Sequence, residues 1–348
     1  MSTVANLPGP LTPVSSRFGR CSAAQSVAGE QCASVCCRGF QSGGRVGTGK
    51  LLTFFLLHRN LQTIGCKVTH ILITGGCGFI GRHVAEELLG HGYRVRVLDA
   101  FIEQVHGGAA YVPEGVELVR ADVRDKAAVR TALAGIDSVV HLAAEVGVGQ
   151  SMYEIARYVS GNDLGTAVLL EAMIDMPVKR IVVASSMSVY GEGLYVSQAG
   201  VRFERVRRRT GDIRKGRWDP AGPDGEALQP APTDEEKPVD LASIYALTKY
   251  AQERAVLIFG EAYGVEAVAL RLFNVFGPGQ ALSNPYTGVL ANFASRLING
   301  EPPTIFEDGR QKRDFVHVRD VARAFRLALE QSEAPGHVIN IGSGEAYA

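Results

Sequence analysis

The sequence predicts an α/β fold, a doubly wound parallel sheet with helices on both faces and a smaller C-terminal lobe. Three observations predict it. From His70 onward, short apolar runs alternate with helical stretches. A glycine-rich turn joins the first apolar run to the first helical stretch. The composition, 46% hydrophobic and 21% charged over 348 residues, is that of an ordinary globular protein.

The charges are balanced over the whole chain. Lysine plus arginine and aspartate plus glutamate each number 36, so no global field draws the protein to nucleic acid or to an anionic membrane. We therefore expect neither a nucleic-acid nor a membrane partner, and we look for small-molecule partners at local sites.

The main domain is predicted to run from residue 68 to residue 275. Its apolar runs predict strands over residues 70–74, 94–98, 116–120, 138–141, 180–185 and 266–272. The stretches between them predict helices over residues 80–91, 126–134, 162–176 and 243–263. This alternation predicts parallel strands joined by helices on both faces of the sheet.

Two further regions break this rhythm. Residues 193–240 are rich in Gly and Pro and contain a basic stretch at 202–217, so they predict a surface insertion. Its arginines are suited to binding phosphate, but a solvated charged face is the favoured interpretation. Residues 276–348 predict a partial substrate lobe, with helices at 289–299 and 321–330, a strand-like run at 304–306 and an apolar run at 338–341. We expect that the native lobe continues beyond Ala348.

Residues 1–67 form a leader outside the predicted fold. They contain one acid against seven bases and five of the six cysteines, without the spacing of a zinc site. The apolar run at 51–57 is too short for a membrane span. An organelle transit peptide is one interpretation. The favoured one is that translation begins at Val68, which N-terminal sequencing tests. Cys77, alone in the rest of the chain, suits a reducing cytoplasm.

The first strand leads into the sequence TGGCGFIG, which predicts a dinucleotide site. Glycines here allow a tight turn and let backbone N–H groups approach a pyrophosphate at the start of a helix. Asp99 ends the second strand, 24 residues after Gly75, the first glycine of this motif. An acid at this position is placed to meet the adenosine ribose. No basic residue follows it at 100–102, which favours NAD over NADP. The turn residues expected to contact NAD are Gly75, Gly78, Phe79, Ile80 and Gly81.

The next two strands end in further candidate cofactor residues. Asp122 and Val123 follow the third strand, where a carboxylate is placed to accept from the adenine amino group; a helix-capping role for Asp122 is equally open. Small residues after the fourth strand let NAD lie against the backbone, namely Leu142, Ala143 and Ala144. Cys77 is interpreted as a space-filling residue of the turn rather than a nucleophile.

A serine-bearing strand end and a Tyr–Lys pair predict the catalytic site. Ser185, Ser186 and Ser188 lie at the carboxyl edge of the fifth strand, where ligands of such folds bind. Tyr245 and Lys249 are four residues apart on a predicted helix and share a face. A neighbouring ammonium is expected to lower the tyrosine pKa and so favour its use as a base.

In this order the motifs resemble the extended short-chain dehydrogenase/reductases, in the branch of NAD-dependent nucleotide-sugar epimerases and dehydratases. The resemblance covers residues 69–344. The motifs that carry it are TGGCGFIG at 74–81, HLAA at 141–144, SSMSVYG at 185–191, YALTK at 245–249, RLFNVFGPGQ at 271–280 and RDFVHVRD at 313–320.

The resemblance implies roles for individual residues. Tyr245 is the acid/base, Lys249 lowers its pKa and holds the nicotinamide ribose, and Ser186 hydrogen-bonds the reacting sugar hydroxyl. Ser188 and Asn274 contact the substrate, and Arg313 contacts its diphosphate. The implied reaction oxidises a sugar hydroxyl and reduces the resulting keto sugar on its other face, with no net redox change.

The resemblance also narrows the expected substrate. Dehydratases of this branch carry an Asp-Glu pair where this chain has Met187 and Ser188, so epimerisation is favoured. The stretch at 279–289 and the insertion resemble dTDP-L-rhamnose 4-epimerases; UDP-glucose or UDP-N-acetylhexosamine 4-epimerases are the nearest alternative. The insertion lacks the Cys pairs that such relatives often carry, so no metal is expected. A homodimer is implied, and a truncated, non-catalytic NAD-binding protein is the alternative from another class.

Overall fold

The computed structural model describes residues 68–106, 111–281 and 288–347, and all of them fall in one compact unit, 67–348. The predictions for the leader, 1–67, lie outside the described residues. Strands and helices alternate through the described part as expected, which confirms the α/β class. The boundary proposed between residues 275 and 276 stays a prediction.

The strands occur in the predicted order, with additions in the insertion and the C-terminal lobe. They are β1 (His70–Thr74), β2 (Arg94–Asp99), β3 (Glu117–Arg120), β4 (Ser138–His141), β5 (Arg180–Ser186), β6 (Leu194–Val196), β7 (Arg202–Phe203), β8 (Gln229–Ala231), β9 (Glu266–Leu272), β10 (Asn274–Phe276), β11 (Phe315–His317) and β12 (Val338–Ile341).

The α-helices include every helix expected from the sequence, together with several single turns. They are α1 (Phe79–Gly90), α2 (Glu103–His106), α3 (Lys126–Leu133), α4 (Val148–Ser151), α5 (Ile155–Tyr158), α6 (Gly165–Asp175), α7 (Thr210–Ile213), α8 (Ile244–Tyr263), α9 (Val289–Ile298) and α10 (Val318–Glu330). None of the described helices is both long and apolar enough to cross a membrane.

Seven parallel strands form the central sheet in the order β12-β9-β5-β4-β1-β2-β3. The chain builds outward from β1 to β3 and then returns to add β4 on the other side of β1. Ligands of doubly wound sheets bind in the crevice at this reversal, beyond the carboxyl ends of the strands. The topology therefore places the glycine turn after β1 next to the end of β4.

Two hydrophobic layers cover the two faces of the sheet. Alternate residues of β1 point to opposite faces: Ile71 and Ile73 belong to the layer that contains α1 and α10, and Leu72 belongs to the layer that contains α3, α6 and α8. Both layers are built mainly from buried aliphatic side chains. This arrangement is the doubly wound architecture that the sequence predicts.

The helix expected over 162–176 begins differently from the prediction. Residues Val159–Leu164 form a π-helical segment, and the regular helix starts only at Gly165. The buried side chain of Asn162 explains the irregularity: it accepts a hydrogen bond from Glu145 N at 2.6 Å and donates to Thr248 Oγ1 at 2.9 Å. Such segments are frequent at functional sites, and this one faces α8.

The insertion contains strands that the sequence did not predict, and the C-terminal lobe corrects one expectation. Residues 193–240 are more ordered than a plain surface loop, because β7, β6 and β8 pair into a small antiparallel sheet. Several arginines of the basic stretch pair with carboxylates of the same protein, as Arg202 does with Asp234 and Arg208 with Glu192. The strand expected at 304–306 is absent; the added strand of this lobe is β11, paired with β10.

Candidate active site

A cavity of about 590 Å³ opens beyond the carboxyl ends of the strands, at the reversal between β1 and β4. Its size is typical of a cofactor pocket. All of the predicted cofactor and catalytic residues line it, as do Ser188 and Asn274. The cofactor residues in the lining are Gly75, Gly78, Phe79, Ile80, Gly81, Asp99, Asp122, Val123, Leu142, Ala143, Ala144, Tyr245 and Lys249.

The glycine turn leaves no space for side chains at two of its positions. Gly75 has φ +70°, and a Cβ there would lie 2.9 Å from the backbone nitrogen of Ala143. A Cβ at Gly81 would lie 2.3 Å from the carbonyl oxygen of Gly75. The turn therefore packs directly on the end of β4 and on the start of α1. The resulting bare helix N-terminus beside the cavity fits the diphosphate of a dinucleotide.

Asp99 is buried beside this turn at the end of β2. Its Oδ2 accepts the Cys77 N–H at 2.9 Å, and its Oδ1 accepts the Phe101 N–H at 2.9 Å. His106 Nε2 lies 3.2 Å from the same Oδ1. The carboxylate is thus held in place by the backbone, as a group that recognises ribose hydroxyls must be. Burial raises the pKa of the Cys77 thiol to about 12, which supports its interpretation as a space-filling residue.

The two interpretations of Asp122 are separated by the structure. Asp125, not Asp122, caps α3, because its side chain accepts from Ala127 N and Ala128 N. Asp122 instead pairs with Arg124 at 2.5 Å at the rim of the cavity, and that hydrogen-bonded pairing holds its pKa below the usual value. The capping alternative is therefore wrong, and the adenine contact stays a prediction.

The catalytic residues meet at the far end of the cavity from Asp99. Ser186 ends β5 and caps the 3₁₀ turn Met187–Tyr190, with its Oγ accepting the Ser188 N–H at 3.2 Å. Tyr245 lies in the first turn of α8, which is capped by Ser243, and Ser186 is near enough to its phenol to lower the phenol pKa. Its ring meets Tyr158 edge-on, with ring centres 6.5 Å apart.

The expected effect of Lys249 on Tyr245 is not found in this structure. Burial raises the pKa of Tyr245, and the hydrogen bond from Ser186 only partly offsets that shift. The Lys249 ammonium points to Gln252 Oε1, 2.7 Å away. Burial lowers the pKa of Lys249 to about 7, although the negative charge of Glu253 acts to raise it. Desolvation therefore outweighs the attraction that the sequence argument invoked.

A buried network of hydrogen-bonded polar side chains surrounds Lys249 and was not predicted from the sequence. Gln252 donates to Thr166 Oγ1 at 2.8 Å and lies 3.2 Å from His141 Nε2; His141 Nδ1 is hydrogen-bonded to Thr74 at 2.7 Å. Burial lowers the pKa of His141 to about 3, assisted by the charge of Lys249, so the imidazole is neutral. This network of hydrogen-bonded side chains holds the end of β4 against α8.

Ser151 is a second contributor that sequence reasoning missed. Its hydroxyl accepts the backbone N–H of Tyr245 at 3.0 Å, satisfying a donor of the first turn of α8. Ser151 lies 94 residues earlier in the chain, in α4. No local sequence signal links the two positions, because the contact depends on how α4 packs on α8.

The predicted substrate residues are placed unequally. Asn274 lines the cavity in β10, and its Nδ2 donates to the carbonyl oxygen of Asp314 at 2.8 Å. Arg313 does not line the cavity: its guanidinium is exposed and donates to Gln311 Oε1 at 2.6 Å. The structure thus brings Asn274, but not Arg313, to the catalytic residues.

Comparison with known proteins agrees with this geometry. The model of the NAD dependent epimerase/dehydratase family matches residues 71–211 and 219–342. A dTDP-L-rhamnose 4-epimerase of Burkholderia thailandensis is 36% identical over 79% of this chain and 77% of its own. A putative UDP-glucose 4-epimerase of Methanocaldococcus jannaschii is 32% identical over 79% of this chain and 77% of its own.

A solved structure gives the same assignment. The UDP-glucose 4-epimerase of Thermus thermophilus in complex with NAD matches with a TM-score of 0.62 and 33% identity, over 80% of this chain and 79% of its own. The bare glycine turn and the backbone-held Asp99 carboxylate fit the diphosphate and the adenosine ribose of that cofactor. The chain therefore belongs to the NAD-dependent epimerase/dehydratase family of enzymes, with NAD as its cofactor.

Proposed function

We propose that this protein is a nucleotide-sugar 4-epimerase that acts through a transient 4-keto sugar, with dTDP-L-rhamnose as its substrate. The observation that carries the proposal is that Ser186, Tyr245 and Lys249 line the same cavity as the glycine turn. The similarity to a dTDP-L-rhamnose 4-epimerase over most of both chains supports the choice of substrate.

Ser186 and Tyr245 have different roles in proton transfer. Ser186 Oγ orients the 4-hydroxyl of the sugar, and Tyr245 takes the hydroxyl proton as the C4–H bond breaks. NAD, held by the glycine turn and Asp99, would supply the acceptor and then the donor of the C4 hydride. After the keto sugar has turned over, Tyr245 gives its proton to the carbonyl oxygen. The sugar leaves with inverted configuration at C4. Tyr245 has returned to its starting protonation state, and there is no net oxidation or reduction.

Lys249 supplies positive charge at this end of the cavity. Its pKa of about 7 means that a substantial fraction is ammonium near neutral pH. The pKa of Tyr245 shows no effect of this charge in the structure, but Lys249 lies one helical turn from Tyr245 on α8. We propose that it stabilises the phenolate during proton transfer. We therefore assign Lys249 to assisting Tyr245 and to holding the nicotinamide ribose.

The positions after Ser186 favour epimerisation over dehydration. Elimination of water needs an additional acid and base near the sugar, and the cavity lining there consists of Met187 and Ser188. The carboxylates of the described lining are Asp99, held by the backbone beside the glycine turn; Asp122, paired with Arg124; and Glu145, paired with Arg157 at 2.8 Å. Because each of the three carboxylates already has these partners, none of them is placed to act as the additional acid or base.

A UDP-hexose is the second candidate substrate. Relatives and solved structures described as UDP-glucose 4-epimerases cover nearly the same share of this chain at 32% and 33% identity. The chemistry at Ser186 and Tyr245 is the same for both, so only the nucleotide and the sugar distinguish them.

The test is incubation of purified protein and NAD with dTDP-L-rhamnose, UDP-glucose and UDP-N-acetylglucosamine, with products resolved by nuclear magnetic resonance. We expect the carbon-4 epimer of dTDP-L-rhamnose to form at the highest kcat/KM. Conversion of a UDP-hexose alone would keep the mechanism and replace the substrate. Failure with every sugar, despite NAD binding, would reject the proposed activity and favour a non-catalytic NAD-binding protein.

We further propose that the protein is a homodimer, joined through α8 and the neighbouring α5 to α6 segment. Both expose large apolar side chains: Leu247 and Ile258 on α8 are 47% and 56% exposed, and Leu164 and Ile174 are 51% and 48% exposed. Adjacent helices with apolar outer faces suit a two-fold interface, in which a second copy covers the same surface.

Sedimentation measurements test this interface. We expect the unaltered protein to sediment as a dimer and Ile258→Lys to sediment as a monomer at micromolar concentration, because a buried lysine at the interface lacks a partner. Ile305→Lys, at a similarly exposed isoleucine away from these helices, is the matched control and should remain dimeric. A dimer in both variants would place the interface elsewhere.

A further inference from the structure

Arg82 reaches across the mouth of the cofactor cavity. Its backbone N–H donates to the carbonyl oxygen of Gly78 at 3.1 Å, so the residue lies one turn inside α1, just after the glycine turn. Its side chain lines the cavity. The guanidinium Nη2 donates to the carbonyl oxygen of Pro278 at 2.6 Å, in the loop that follows β10.

The loop accommodates this guanidinium through a glycine. Gly279 has φ +80°, and a Cβ there would lie 0.9 Å from Arg82 Nη2. Any side chain at 279 would therefore displace the guanidinium. The guanidinium carbon also lies 5.4 Å from the centre of the Tyr111 ring. The charged group thus contacts both the loop and the ring.

The charge of Arg82 is uncompensated among the described residues. The other arginine of the lining, Arg124, pairs with Asp122 at 2.5 Å, and Lys249 lies at the catalytic end, bonded to Gln252. No described carboxylate pairs with Arg82, and its buried Nε–H has no described hydrogen-bond partner. A buried donor left unpaired is unfavourable, so the arrangement favours an anionic ligand with several acceptor oxygens.

We propose that Arg82 is a diphosphate-binding residue, and that the diphosphate is that of NAD. A guanidinium presents a fork of N–H donors that matches phosphate oxygens, and charge-assisted bonds of this kind are among the strongest in proteins. The nucleotide sugar carries the same chemical group. The position of Arg82 on α1, one turn from Gly78 and away from Ser186 and Tyr245, favours the diphosphate of NAD.

The test compares Arg82→Met with two related variants of the full chain. Arg82→Lys keeps the charge but loses the fork. His83→Ala keeps the charge and removes the other contact to Pro278, because His83 Nε2 lies 3.0 Å from the same carbonyl oxygen while its side chain does not line the cavity. The measurements are the dissociation constants of NAD, ADP-ribose, adenosine and dTDP-L-rhamnose, each at low and high salt.

We expect Arg82→Met to weaken NAD and ADP-ribose about tenfold or more, a loss of about 1.4 kcal/mol or greater. Adenosine, which lacks a diphosphate, should bind unchanged. The weakening of NAD binding by salt should be smaller in Arg82→Met than in the unaltered protein, because one screened charge contact is missing. Arg82→Lys should lose less affinity than Arg82→Met, and His83→Ala should stay within about threefold of the unaltered protein.

Three outcomes would overturn the assignment. Unchanged affinity of Arg82→Met for NAD would exclude the contact. An equal loss in His83→Ala would show that the tether to Pro278, not the cation, holds NAD. A loss of affinity for the nucleotide sugar, with NAD binding unchanged, would move the contact to the substrate's diphosphate. Because the readout is NAD binding, the result is independent of which sugar the enzyme converts.

Discussion

Replacing Tyr245 with phenylalanine is expected to lower kcat at least about 1,000-fold on the nucleotide sugar that the unaltered enzyme converts, because acid–base transfer by a placed side chain contributes rate factors of about 100 to 10,000. Phenylalanine keeps the ring that packs edge-on against Tyr158 but cannot carry a proton to or from the sugar. The affinity for NAD should stay within about threefold, because the glycine turn and Asp99 are untouched.

The matched control removes a hydroxyl from the other end of the same helix. Tyr263 is exposed at the C-terminal end of α8 and stacks on Phe259, with ring centres 4.7 Å apart. Tyr263→Phe should therefore keep nearly full activity. If Tyr245→Phe retained more than a tenth of the kcat, with NAD bound normally, Tyr245 would not be the acid/base and the proposed mechanism would be wrong.

The cofactor half of the site could be predicted from the sequence because its signals are local. The turn from β1 into α1 needs glycine at Gly75 and Gly81 for reasons visible in the backbone, and Asp99 follows at the spacing of the next strand. Hydrophobic periodicity likewise predicts which segments form the sheet. Each of these signals lies within about 30 residues of chain, and over such short distances the sequence pattern directly determines the local backbone structure.

The catalytic electrostatics could not be predicted, because they depend on burial. Four-residue spacing correctly places Tyr245 and Lys249 in one cavity. It does not show that desolvation raises the pKa of Tyr245, or that the Lys249 ammonium points to Gln252. The contact of Ser151 with Tyr245 likewise joins parts of the chain 94 residues apart, so only the packed structure shows it.

The C-terminal lobe shows a further reason why prediction failed. The apolar run at 304–306 looks like a strand, but Ile305 and Phe306 are 65% and 77% exposed and make no ladder. Arg313, assigned to a diphosphate by resemblance, is exposed and bonded to Gln311. A short apolar run is compatible with several conformations, so tertiary packing decides which one it adopts.

A buried ion pair between α8 and β9 is expected to give the largest effect on stability. Arg271 and Glu253 are 5% and 1% exposed, and the guanidinium donates twice to the carboxylate, at 2.9 and 2.7 Å. Ser185 Oγ donates to the same carboxylate at 2.6 Å, and Arg271 also donates to the Tyr190 hydroxyl at 2.7 Å. Glu253 thus joins the helix that carries Tyr245 to β9 through Arg271, and to the strand end that carries Ser186 through Ser185.

Arg271→Met should lower the free energy of unfolding by about 3–5 kcal/mol, because it removes the charge that is directly hydrogen-bonded to the buried Glu253 carboxylate. Adding Glu253→Gln to that variant should restore part of the loss, since no uncompensated charge then remains. Arg130→Met breaks a pair with Asp175 whose side chains are 44% and 63% exposed, and should change stability by less than about 1 kcal/mol. Urea unfolding followed by circular dichroism measures all three variants. If Arg271→Met lost no more stability than Arg130→Met, the pair would not be what holds α8 and its catalytic residues against the sheet.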